Sequence, residues 1–209
     1  MRPQSVSGQD RSGLSASWIT RHWLLAALVG GALVAVIGAS LFVYAGVYNV
    51  AADIPHTQPA FWLMTTVRER SVAVRAAGVV VPADLGDTKR ILSGAGQYAE
   101  MCAGCHLAPG MKRNEISRGL YPRAPELRRG SDLTPAEEFW VVKHGLKMSG
   151  MPAWGVTHND EILWDVVAFL RKLPELTPDE YQALVKSAPK THDEMMQEME
   201  SRPMDHEGH

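Results

Sequence analysis

The pattern of apolar and polar positions divides the chain into stretches of distinct character. From Trp23 to Ala52 no residue is charged, and the core of that run, Leu24 to Val47, is rich in Leu, Ala, Val and Gly. At about 1.5 Å per residue, about 20 helical residues cross a hydrocarbon layer, so this run is long enough to span one with tilt. Residues 49–60 hold Pro55, Pro59 and few apolar side chains, which predicts an irregular stretch. Phe61 to Ala77 has no Gly or Pro. Phe61, Met64, Val67 and Val74 recur there at three- or seven-residue steps, with Arg68, Ser71 and Arg75 on a neighbouring face. The spacing predicts a helix over 61–77, resting on a membrane surface, on a partner subunit or on the rest of the chain. Gly78–Pro82 is β-branched and extended in character.

The second half reads as helices. Leu92 to Met101 forms one. Thr134 to Gly145 forms another, opened by Thr134, Pro135 and Glu137 as a capping box with Pro at the first position, and closed by Gly145. Asp160 to Leu173 forms a third, with Ile162, Leu163, Trp164, Val166, Val167 and Leu170 apolar, Asn159 as N-cap and Pro174 as the stop. The expected class is all-α.

Charge changes this picture by giving it direction. Arg2, Arg11 and Arg21 precede the apolar run, and Asp53 is the first charge after it. The positive-inside rule then puts residues 1–22 in the cytoplasm and all that follows the span 23–47 outside. Trp23, Tyr44 and Tyr48 stand where interfacial aromatics belong. A cleaved signal peptide, cut after Ala45 or Ala52, is the competing reading; the length of the run and of the polar segment before it favours an uncleaved anchor. Ala27, Gly31, Ala35 and Ala39 form a small-residue row at i, i+4 steps that would let a partner helix approach closely, although Ala and Gly are common in any span. Residues 89–175 carry twelve basic and ten acidic residues, and residues 176–209 three basic and eight acidic. Balanced charge of this kind carries no nucleic-acid footprint.

The candidate chemistry sits at residues 102–106, Cys-Ala-Gly-Cys-His, whose cysteines are the chain's only two. This is the attachment pattern of c-type haem: two thiols a helical turn apart form thioethers to the vinyl groups, and the next residue's imidazole binds iron. A zinc site wants a second pair of ligands at fixed spacing, and no second Cys pair exists. A redox-active CxxC opens a helix after a strand, whereas the segment before Cys102 reads as helix. No Ser/His/Asp set, paired carboxylate site or phosphate loop stands beside the motif. One covalently attached haem c is expected.

Residues 90–173 resemble a class I cytochrome c domain. The resemblance rests on Gly94 and Tyr98 before Cys102, Cys105 and His106; on Arg123-Ala124-Pro125-Glu126-Leu127; and on Ser149-Gly150-Met151-Pro152-Ala153-Trp154-Gly155. It implies an all-α haem cradle, preceded here by one N-terminal transmembrane helix, in which the Gly94/Tyr98 helix crosses the 160–173 helix. It further implies Met151 as the second axial ligand, with Met148 as the rival, and His144 or His158 as remote alternatives. Pro125, with Pro122 as fallback, would accept the ligand histidine's Nδ1–H. Trp154 would cover the ring or a propionate, or simply pack; Trp140 reads as core. Lys112, Arg113, Arg118, Arg123, Arg128, Arg129, Lys143 and Lys147 would form a basic rim for an acidic redox partner, unless they are an ordinary solvated surface.

The resulting expectation is a single-pass anchor in a bacterial inner membrane, a connector over 48–88, a haem domain over 89–175 on the periplasmic side, and an acidic tail over 176–209. The protein would carry single electrons from a quinol-oxidising complex or dehydrogenase to an oxidase or reductase, without catalytic residues of its own. The alternatives are a fixed electron-transfer subunit of a larger membrane complex, and a haem-based ligand sensor or copper-handling protein. For the last, His192, Met195, Met196, Met199, Met204, His206 and His209 would supply soft donors, although the charge and terminal position of the stretch favour a disordered solubilising tail.

Overall fold

The computed structural model describes residues 12–189, and every regular element among them is a helix. The chain divides into two compact units with the boundary after Ala51.

The first unit contains α1, Ser12–Tyr44. Its stretch Thr20–Tyr44, 25 residues of mean hydropathy 2.4, is long and apolar enough to cross a membrane by length and composition, and none of its most apolar window is buried by protein. A helix apolar along this length is compatible with a single-pass anchor. The helix ends before Gly46, whose φ of 62° is left-handed, a conformation that glycine adopts without steric cost.

The second unit holds α2 (Gln58–Ala76), α3 (Thr88–Met101), α4 (Ala103–His106), α5 (Glu115–Gly119), α6 (Pro135–His144), α7 (Asp160–Lys172) and α8 (Pro178–Ser187). Helix α2 starts three residues before Phe61. Pro59 falls in its first turn, where no intrahelical donor is needed, so the proline admits a helix that the sequence reading stopped short of. It packs on α6, and Val72 and Ala76 are its buried residues. The stretch expected to be extended, Gly78–Pro82, has no strand partner. Gly78 lies in the turn that follows α2, with the Val79 N–H donating to the Ala76 carbonyl at 2.9 Å, and residues 79–82 are irregular.

The core is the crossing of α3 and α7. A Cβ at Gly94 would lie 1.9 Å from the Asp165 carbonyl oxygen, so the two backbones meet at a distance only glycine permits. Around it α7 buries Leu163, Val166, Val167, Phe169 and Leu170, each contributing about 1.5–3 kcal/mol of apolar burial. Arg90 ties the start of α3 to Asp84, Glu161 and Asp165 at 2.9–3.0 Å. Helix α6 opens with the expected capping box on Thr134 and stacks Phe139 on Trp164 at 4.0 Å between ring centroids.

Helix α8 changes the expected domain boundary. The helical body does not stop at residue 175: Thr177 and Glu180 form a second capping box, and Tyr181, 3% exposed, closes the core beside Phe169. The acidic stretch after 176 therefore begins as part of the packed domain. The Met/His-rich positions from His192 onward lie outside the described residues.

Candidate cofactor site

The haem motif is built at the junction of α3 and α4. Helix α3 delivers the chain through the Cys102 N–H, which donates to the Tyr98 carbonyl at 3.0 Å. One tight turn follows: the Cys105 and His106 N–H groups both donate to the Cys102 carbonyl, at 3.1 and 2.9 Å. Cys102 is buried and Cys105 half-buried, and no disulfide joins them. Burial, aided by the Cys105 charge, pushes the Cys102 thiol up to about 12.

Just after His106 the backbone takes a conformation costly for a side-chain-bearing residue. Leu107 has φ 64° and ψ 166°, yet its side chain is 2% exposed. Its carbonyl accepts the Tyr98 hydroxyl. Tyr98 is fully buried against Phe169, so its hydroxyl serves the peptide behind His106 and its ring serves the core. It bears on the site through the backbone.

His106 Nδ1 lies 2.9 Å from the Pro125 carbonyl oxygen. With the proton on Nδ1 donated to that carbonyl, Nε2 keeps its lone pair, the form an iron ligand requires. Burial holds the imidazole below its ordinary value, against the opposing effect of the Pro125 hydrogen bond, and the net result favours the neutral ring.

Pro125 is positioned by its neighbour. Glu126 Oε1 meets Arg113 at 2.6 Å, and Oε2 meets Arg128 and Arg129 at 2.9 and 3.1 Å. The carboxylate therefore gathers half of the loop's basic residues onto the segment that holds His106. This hub is absent from the sequence reading, which takes Arg113, Arg128 and Arg129 as part of a basic rim. Lys143 is similarly engaged by Asp160, at 2.7 Å. A second brace is the Asn114 side chain, which caps α5 and donates to the Gly104 carbonyl at 2.8 Å.

The methionine loop runs from Gly145 to Pro152. Gly145 has φ 63°, and a Cβ there would lie 2.6 Å from the Pro152 carbonyl carbon and 2.7 Å from the Met151 oxygen. The loop is closed by the Leu146 N–H on the Met151 carbonyl at 3.2 Å. Ser149 Oγ donates to the Leu146 carbonyl at 2.7 Å and accepts the Met151 N–H at 3.2 Å. The two methionines part company here: Met151 packs half-buried against the core, whereas Met148, φ 59°, stands 77% exposed.

Trp154 begins the short 3-10 turn Trp154–Val156 and packs half-buried against the core, edge-on to His158 at 5.8 Å. His158 is buried, with Nδ1 2.8 Å from Thr157 Oγ1. His144 is exposed at the end of α6 beside Trp140. Among the described residues no cluster of three or more His, Cys, Asp or Glu forms a separate metal site.

The donor set fits a haem. Two thiols share one turn, one imidazole is oriented through Nδ1, and one thioether lies half-buried in a loop fixed to the same core. Residues 89–170 match the family model described as cytochrome C oxidase, cbb3-type, subunit III. That segment is a class I c-type cytochrome domain, which implies haem c and haem-based electron transfer. No curated protein and no solved structure matches the chain.

Proposed function

We propose that this chain is a membrane-anchored monohaem cytochrome c that passes single electrons between respiratory redox partners. The observation that carries the reading is the His106 imidazole fixed by the Pro125 carbonyl one residue after the paired thiols. The haem supplies reversible one-electron Fe(II)/Fe(III) chemistry. The chain's residues do the rest. Cys102 and Cys105 tether the macrocycle through thioethers. His106 and Met151 would be the side chains that hold its iron, and Pro125 would keep the imidazole oriented. The Met151 thioether, neutral and soft, favours the ferrous state. Iron held by both side chains would offer no site to a substrate, which favours a carrier over a sensor. The anchor sequence, with Arg2, Arg11 and Arg21 before it and Asp53 after, supports an external haem domain in a bacterial inner membrane.

The cbb3-type family match favours a second reading alongside the free carrier, a fixed electron-transfer subunit of a membrane oxidase. Copurification in mild detergent separates them: a stable stoichiometric complex establishes the subunit. Ligation is tested by ferric optical spectra of the intact protein and two variants. Met151→Ala should abolish the far-red Met–iron band, and Met148→Ala should keep it. The reverse pattern would assign the ligand to Met148.

A further inference from the structure

Helix α2 carries a mostly apolar ridge that no described residue of its own unit covers. Leu63, Val67, Arg70 and Val74 stand at i, i+4, i+7 and i+11, which is one side of a helix. Leu63 is 53%, Val67 56% and Val74 66% exposed. At about 100° per residue, the buried Val72 and Ala76 fall on roughly the opposite side. The helix therefore packs on α6 with one face and turns an apolar face outward. Phe61, Trp62 and Met64 add exposed apolar surface in its first two turns. Its charges are Arg68, Arg70 and Arg75 against a single acid, Glu69.

The chain constrains what can cover this ridge. Helix α1 ends at Tyr44 and α2 begins at Gln58. The intervening residues 45–57 reach at most about 45 Å when fully extended. The ridge thus travels on a short leash from an anchor whose composition suits lipid. Trp62 and Arg75 flank the ridge at about 110° to either side, at the level of the acyl–headgroup boundary of an anionic leaflet.

We propose that the outward face of α2 lies in the surface of the bilayer that α1 crosses, with Leu63, Val67 and Val74 immersed, the Arg70 stem among them reaching up to an anionic lipid phosphate, and Arg75 at the flank. Such a contact sets the attitude of the haem site as well as its distance. Helix α2 is seated on α6, and just before it the His56 N–H donates to Tyr121 Oη at 2.9 Å, four residues from Pro125. The proposal rests on insertion of α1 and is independent of which redox partner the haem serves.

The test uses the full-length, haem-loaded protein in nanodiscs of phosphatidylcholine and phosphatidylglycerol. Nitroxide labels are placed singly through Leu63→Cys, Val67→Cys and Val74→Cys, with Leu33→Cys reporting insertion of α1 and Glu115→Cys as an aqueous control. Collision rates with oxygen and with a water-soluble nickel chelate are compared. The expected result is that positions 63, 67 and 74 favour oxygen, as position 33 does, while position 115 favours the chelate. Aqueous behaviour at 63, 67 and 74 with a lipid-like position 33 overturns the proposal and leaves the anchor standing. Protection from both reagents overturns it in favour of a protein partner or a second copy. An aqueous position 33 removes its premise and overturns it too.

Discussion

His106 stands where hydrogen bonds converge from distant parts of the chain, whereas Met151 stands in a loop closed by its immediate neighbours. On the histidine side, Pro125 reaches back nineteen positions, Tyr98 holds the Leu107 carbonyl, and Arg113, Arg128 and Arg129 meet on Glu126. On the methionine side, closure depends on the Leu146–Met151 bond and the Ser149 hydroxyl, all within six residues. The difference teaches that one proposed ligand is held by tertiary structure and the other by a local turn. Local closures open at lower free energy than the fold unfolds, so the methionine side should yield first to heat, denaturant or a competing ligand.

The largest break in that comparison should come from Gly145→Ala. It forces a side chain into a left-handed position already 2.6 Å from the Pro152 carbonyl carbon. A loss of about 3 kcal/mol is expected in chemical denaturation. The Met–iron band should weaken while haem attachment persists. Ser149→Ala should cost about 1 kcal/mol by removing one local bond and leaving the Met151 N–H to find another partner. It should lower the denaturant midpoint of the far-red band more than the midpoint of helical circular dichroism. Equal shifts would mean that the loop is not an independent unit.

The smallest effect sharpens the histidine side through pH. The arginines, with the Arg113 hydrogen bond foremost and Arg128 next, hold the Glu126 carboxyl below its ordinary value of 4.5. Stabilisation from a lowered carboxyl is fully present above the ordinary value and is lost as pH falls through the folded one. Thermal unfolding followed downward from pH 6 should therefore lose a component below about pH 4.5 in the native protein, and Glu126→Gln should lack it. The same acid-side slope in both proteins would remove Glu126 as the clamp.

What was legible in the sequence follows the same division between local and distant. Local rules announce themselves: the Thr134 capping box, the Asn159 cap and the uncharged run of α1 all appear where their residues stand. The Gly94 crossing is distant, and became legible only because the motif resembles a known family. Glu126 was missed because its role depends on Arg113 folding back from thirteen positions away, which no periodicity records. The bond from His56 to Tyr121, across sixty-five positions, is hidden for the same reason. Helix α8 was missed for another one. Thr177-Pro-Asp-Glu180 is a readable start, but the acidic composition of the stretch outweighed it, and only the burial of Tyr181 decides between tail and helix.

Iron held by both His106 and Met151 would have no open position for substrate. Carbon monoxide binding to the ferrous full-length protein at neutral pH tests it directly, since the gas binds wherever a sixth position is free. The expected result is no spectral change under saturating carbon monoxide in the native protein and ready binding in Met151→Ala. Ready binding by the native protein would contradict it and move the chain to the class of ligand sensors.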